Sequence, residues 1–130
     1  MTSNNRKTGN SGENIACHYL ASKGHRIIVR NYWKPFGEID IITEHKGTTH
    51  FVEVKSQIIT VSREKFGNPL STYNPLDKID AKKQRNLKKI ISFYLANNAT
   101  PLWQIDAIAV FMNMTEMKAH ITHIKNIVIE

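Results

Sequence analysis

The run Thr49-His50-Phe51-Val52-Glu53-Val54-Lys55 puts a carboxylate and an amine inside a segment whose β-branched and aromatic content reads as a strand. Side chains alternate along a strand, so Phe51, Glu53 and Lys55 share one face while His50, Val52 and Val54 share the other. An unpaired buried charge costs several kcal/mol even after relaxation. A fold that keeps Glu53 on an apolar strand therefore needs a compensating cation, either a metal ion or a charge on a neighbouring element.

The preceding segment supplies a partner. Phe36 to Thr43 also reads as a strand, entered through Pro35 and Gly37. Glu44-His45-Lys46-Gly47-Thr48 connects the two, with Gly47 suited to a turn. A hairpin centred between Lys46 and Gly47 sets Asp40 opposite Glu53 and Glu38 opposite Lys55. Directly opposed Cβ atoms lie about 4.5–5.5 Å apart on a shared face. Two carboxylates that close repel unless one is protonated or a cation lies between them. A loop of odd length would instead place Asp40 opposite Val52 or Val54 and dissolve the pair.

The 130 residues suit one compact domain. They read as a disordered polar tail at 1–11 and a single domain at 12–130. Ser11 can cap a helix over Gly12–Lys23, with Ile15, Ala16, Tyr19 and Leu20 as its apolar stripe and Gly24 as its stop. A strand over Arg26–Asn31 precedes the hairpin. Residues 57–74 read as a mobile loop beside the acidic pair, since a connection of that length is usually functional or disordered. A second helix runs from Pro75 or Lys78 to Ala96, with Ile79, Leu87, Ile90, Ile91, Tyr94 and Leu95 on one side. Leu102–Phe111 and Lys118–Ile127 complete the strands. The order helix, three strands, helix, two strands gives an α/β fold class, a mixed central sheet flanked by helices.

Charge narrows the partner. A net charge of +7 favours a polyanion, nucleic acid by default. Lys78, Lys82, Arg85 and Lys89 follow i, i+4, i+7, i+11 and form a basic stripe beside the apolar face of the second helix. Residues 63–89 carry eight Lys or Arg against three acids, whereas a merely solvated helix mixes its signs. These four are the nucleic-acid-binding candidates. Cys17, the single cysteine, excludes an internal disulfide and fits a reducing compartment. No apolar run approaches the roughly 18 residues of a membrane span, and Met1–Ser11 lacks the apolar stretch of a secretory signal. The expected location is the cytoplasm, with no membrane partner; a homodimer stays open. His120 and His123 stand three apart in a strand, point to opposite faces and make poor joint ligands. Asp106 shares a face with Gln104 and is open between a neighbour of the acidic pair and a structural hydrogen-bond acceptor.

Gly37-Glu38-Ile39-Asp40 followed, after twelve residues, by Glu53-Val54-Lys55 resembles the PD-(D/E)XK nuclease signature. The resemblance extends along the chain. Gly12-Glu13 with Ala16 and Leu20, then Gly24, Arg30-Asn31, Phe51-Val52-Glu53-Val54-Lys55, Asp106-Ala107-Ile108 and His123-Ile124-Lys125-Asn126 look like the YraN family of small bacterial proteins. That resemblance implies a restriction-endonuclease-like fold, similar to archaeal Holliday-junction resolvases. It implies Mg²⁺, or Mn²⁺, held by Asp40 and Glu53, with Glu13 of the first helix completing the ligand set and Lys55 as the catalytic amine. It also implies DNA as substrate, branched DNA included. The activity expected is that of a metal-dependent DNA endonuclease; the alternative is a nucleic-acid-binding module that keeps the fold and does not cleave. Two positions depart from the pattern: Ile39 stands where the signature has proline, and Gln57 where the family often has a basic residue.

Overall fold

The computed structural model describes residues 3–59 and 79–129, with side chains from Ser11 onward. The order is α1 (Ser3–Ser22), β1 (Arg26–Lys34), β2 (Gly37–His45), β3 (Thr48–Ile59), α2 (Ala81–Asn97), β4 (Trp103–Asn113) and β5 (Lys118–Ile124). The strands form one sheet in the spatial order β1-β2-β3-β4-β5. All neighbours are antiparallel except β3 and β4, which run parallel across the α2 connection. This is the mixed sheet flanked by two helices expected of a restriction-endonuclease-like α/β domain.

Each helix covers one face because each carries one apolar stripe. Ala16 and Leu20 of α1 bury against Ile41, Val52, Ile108, Val110 and Met112. Leu87, Ile90, Ile91 and Tyr94 of α2 bury against Ile39, Ile42, Phe51 and Ile105 on the other face. The stop after α1 is a Schellman turn: Gly24 takes φ 94°, His25 N–H donates to Leu20 O, and Gly24 N–H donates to Ala21 O. Asp80 caps α2, accepting from Lys83 N–H at 2.8 Å.

Several element ends shift by one to three residues, β1 running to Lys34 rather than Asn31 and β5 closing at Ile124 rather than Ile127, and three further differences have a clear physical reason. Helical backbone begins at Ser3, inside the stretch read as a disordered tail. That stretch contains no proline, and extending an established helix adds one hydrogen bond per residue fixed. Gln57–Ile59, read as the start of the loop, continue β3 because β4 offers them partners as far as Asn113. The second helix starts at Ala81 rather than at Pro75 or Lys78, since Asp80 caps it there. The remainder of the expected loop, and Lys78 of the basic stripe, lie outside the described residues.

Two glycines set close approaches. A Cβ built on Gly12 would overlap Ser56 Oγ and stand 2.6 Å from Ser56 Cβ, so α1 lies almost on β3 there. A Cβ on Gly37 would stand 3.0 Å from Asn86 O of α2. Alanine at position 12 gains about 1 kcal/mol of helix propensity, but overpacking costs about 1–3 kcal/mol. Gly12→Ala is therefore expected to lower the free energy of unfolding in urea. In a Ser56→Gly background the same change should become neutral or stabilising. Equal effects in the two backgrounds would show that this contact does not set the helix position.

Candidate metal centre

The acidic pair is built by a break in strand regularity. Between β2 and β3 the register runs Ile41–Val52, Ile42–Phe51, Thr43–His50, Glu44–Thr49 and His45–Thr48, as expected for a turn at Lys46-Gly47. The ladder then stops. Ile39 and Ile41 stand two apart on β2 and should share a face, yet Ile39 buries on the α2 side and Ile41 on the α1 side. The alternation fails at Asp40. On β1, between the pairs Arg30–Ile41 and Tyr32–Ile39, Asn31 takes a φ of 53°. Asparagine tolerates this left-handed conformation, and one such residue twists a strand sharply.

Asp40 therefore does not sit across a regular ladder from Glu53. Its carboxylate turns into the opening between β2 and β3, where Oδ2 accepts from Val54 N–H at 2.8 Å. The hydrogen bond replaces the backbone partner that Val54 loses on that side. Glu38, expected opposite Lys55, pairs with Trp33 of β1, while Lys55 pairs with Ala109 of β4.

Glu53 is 1% exposed, and neither of its carboxylate oxygens meets an aligned hydrogen-bond donor among the described residues. Lys83 Nζ, from the first turn of α2, stands 3.1 Å from Oε2. This is an ion-pair distance without hydrogen-bond alignment. Burial, then the nearby Asp40 charge, pushes the Glu53 carboxyl up to about 7, against the pull of Lys83 and Lys55. Burial also raises Asp40, partly offset by the Val54 N–H, Lys83 and Lys55. Burial would lower the Lys83 ammonium, but Glu53 and then Asp40 outweigh it and hold it above the ordinary lysine range.

Glu13 of α1 is buried on the other side of the opening. Burial and the Asp40 charge raise its carboxyl, and Arg30 Nη2 stands 3.5 Å from its Oε1. It does not close a tight trio with Asp40 and Glu53. Among the described residues, the His25, His45 and His50 set alone brings three His, Cys, Asp or Glu donor atoms within 4.8 Å of one another. Lys55 is half-buried, and its charge acts on both Asp40 and Glu53. Lys82, Arg85 and Lys89 are exposed on α2. Asp106 lies elsewhere, bonded to histidines on the α1 side.

Lys83 is the site residue that the sequence reading passed over. Positions 83, 87, 90 and 94 follow i, i+4, i+7, i+11, so a lysine stands on the apolar stripe of α2. A charge on that stripe needs an acid across the interface, and Glu53 is that acid.

The donor set fits a hard divalent cation. Carboxylate oxygens suit Mg²⁺ or Mn²⁺, and among the described residues the buried Glu53 oxygens meet only the Lys83 ammonium, at Oε2, so they have acceptor capacity such an ion would take. Asp40 and Glu53 would hold the ion, and Glu13 would complete its surroundings.

The fold and this opening between strands define a restriction-endonuclease-like α/β protein. A profile of the uncharacterised protein family UPF0102 matches residues 12–110. A UPF0102 protein of Clostridioides difficile is 36% identical over 126 residues, 95% of this chain and 97% of that relative. One from Alkaliphilus oremlandii is 36% identical over 124 residues, 94% of this chain and 97% of its own length. A Thermotoga neapolitana relative is 42% identical over 85 residues, 65% of this chain and 68% of its own. The chain belongs to the UPF0102 family, which is the YraN family.

The raised Glu53 carboxyl has a consequence for stability. In metal-free protein the folded state holds this proton more tightly than the unfolded chain, whose carboxyl titrates near 4.5. Stability should therefore fall as pH rises from about 4.5 through about 7, by on the order of 3 kcal/mol. Glu53→Gln removes that cost, and half-exposed Lys83 can turn to solvent. Urea denaturation in chelator should find the variant close to wild type below pH 4.5 and more stable at pH 8. A stability difference independent of pH would contradict the assignment.

Proposed function

We propose that the chain is a divalent-cation-dependent DNA endonuclease, with branched DNA among the substrates to be tested. The observation that carries this is Glu53: a buried carboxylate whose oxygens meet no aligned hydrogen-bond donor among the described residues, with Lys83 its nearby cation, beside Asp40 where two strands part. The basic balance of the chain and the exposed Lys82, Arg85 and Lys89 on α2 support a nucleic-acid partner. Asp40 and Glu53 would hold Mg²⁺, and Glu13 would complete its environment. A cation so held supplies Lewis acidity toward a phosphate oxygen and acidifies water.

The chain's own groups account for the rest of the chemistry. In hydrolysis, water adds to phosphorus, the ester P–O bond breaks, and the leaving alkoxide takes up a proton. Negative charge grows on the phosphate oxygens as this happens. The Lys55 ammonium faces the same opening and stabilises that charge more in the transition state than in the bound substrate. Val54 N–H holds the Asp40 carboxylate in position, and α2 carries the basic face that binds the strand.

A second reading has its own observation. Lys83 already gives Glu53 a cation at 3.1 Å, so a closed internal ion pair could take the place of the metal in a module that binds DNA without cutting it. One experiment separates the two. Purified protein is incubated with branched, nicked and linear DNA in Mg²⁺ or Mn²⁺, wild type beside Asp40→Ala and Lys55→Met, with affinity measured in chelator. Cleavage by wild type, loss in Asp40→Ala, and a fall of on the order of 10²-fold in Lys55→Met with little change in affinity are expected. DNA binding without cleavage of any substrate would favour the second reading; a fully active Lys55→Met would remove Lys55 from the mechanism.

A further inference from the structure

The opposite end of the same hairpin carries a second, chemically different cluster. His25 immediately precedes β1 at the Schellman turn, His45 ends β2, and His50 lies near the start of β3. One ring nitrogen of each lies within 4.8 Å of the others. The His25 ring stacks on His45 at 4.3 Å and meets His50 edge-on at 4.6 Å. His25 and His50 are 8% and 7% exposed, so two imidazoles are withdrawn from water where an apolar side chain would be cheaper.

The hydrogen bonds around the cluster leave the nitrogens in a particular state. His50 Nδ1 donates to Asp106 Oδ2 at 2.9 Å, which leaves Nε2 as its lone-pair atom. Thr43 Oγ1 stands 2.7 Å from His25 Nδ1, again leaving Nε2 for another partner. The His45 side chain makes no hydrogen bond among the described residues. Asp106 is itself fixed by His123 Nε2, Gln104 Nε2 and Asn126 N–H, at 2.8–3.0 Å. A buried carboxylate that orients an imidazole through Nδ1 is the supporting arrangement that metal-ligating histidines use.

From this geometry we propose that His25, His45 and His50 form a binding site for a divalent transition-metal ion, zinc the natural occupant. Three imidazole nitrogens select such ions over Mg²⁺ or Ca²⁺, which take oxygen donors. Tetrahedral coordination at about 2.0–2.1 Å spaces nitrogens about 3.4 Å apart. The cluster reaches that spacing by closing no more than about 1.4 Å from its 4.8 Å limit, with half-exposed His45 turning out of its stack on His25 so that its lone pair converges with those of the other two. The fourth position opens on a cleft of about 530 Å³ rimmed by Lys23, Lys46 and Lys125, where water completes the shell. The ion would tie together the ends of three strands on the α1 side, separate from the acidic centre between β2 and β3.

Cobalt reports on such a site directly. Tag-free full-length protein is titrated with Co²⁺ and followed by visible absorption. The wild type is expected to take up one equivalent with the intense bands of tetrahedral cobalt, displaced by Zn²⁺ and untouched by excess Mg²⁺. His45→Ala, whose fold is checked by circular dichroism and melting without metal, should weaken binding at least about 100-fold. His18→Ala, an exposed histidine outside the cluster, should bind as wild type, and Asp40→Asn should keep the tetrahedral bands. Absence of the tetrahedral bands in wild type overturns the proposal whatever the variants do. Wild-type affinity in folded His45→Ala, or loss of the bands in Asp40→Asn, overturns it as well.

Discussion

The hydrogen bond from Val54 N–H to the Asp40 carboxylate is the contact on which the acidic centre depends. Regular pairing of β2 with β3 stops at Ile41–Val52, and β3 continues on its other side as the parallel partner of β4. A backbone donor released from a ladder inside a protein must find another acceptor. Asp40 provides it, and in doing so is held in the opening with Glu53 beside it. The left-handed Asn31 and the reversed burial of Ile39 and Ile41 belong to the same distortion. The register brings Asp40 near Glu53, and the interruption of the sheet turns the Asp40 carboxylate onto Val54 N–H.

Electrostatics makes the opening a place where a cation would be stabilised. The Asp40 charge acts on both Glu13 of α1 and Glu53 of β3, and burial raises all three carboxyls. Arg30, Lys55 and Lys83 neutralise them only in part. Arg30 stands at 3.5 Å from Glu13, and Lys83 reaches one Glu53 oxygen without aligned hydrogen bonding. Incomplete neutralisation of buried carboxylates is costly for a structural network and useful for a site that exchanges ions. UPF0102 membership gives this chain relatives of matching length; the chemistry is argued from these residues.

Much of this was legible in the sequence because strand and helix periods are strict. The apolar stripes of both helices and the hairpin register follow directly from spacing. The placement of Asp40 and Glu53 near each other follows from that register. The detail of their contact did not, because a twist at Asn31 and a ladder that ends early leave no periodic trace. Lys83 was readable as a lysine on an apolar stripe but was hidden among neighbouring basic residues. The histidine cluster draws on the ends of three strands and on Asp106 of a fourth, so only the assembled sheet brings its members together.

The central claim, that the opening between β2 and β3 holds a cation on Asp40 and Glu53, is tested most directly by paramagnetic broadening. Substoichiometric Mn²⁺ is added to ¹⁵N-labelled protein, and amide intensities are followed with and without excess Mg²⁺. Asp40, Glu53 and Val54 should lose intensity first, Mg²⁺ should restore it, and Asp40→Asn should abolish the effect. Unchanged Asp40, Glu53 and Val54 amides, with broadening confined to surface acids such as Glu44, would contradict the claim.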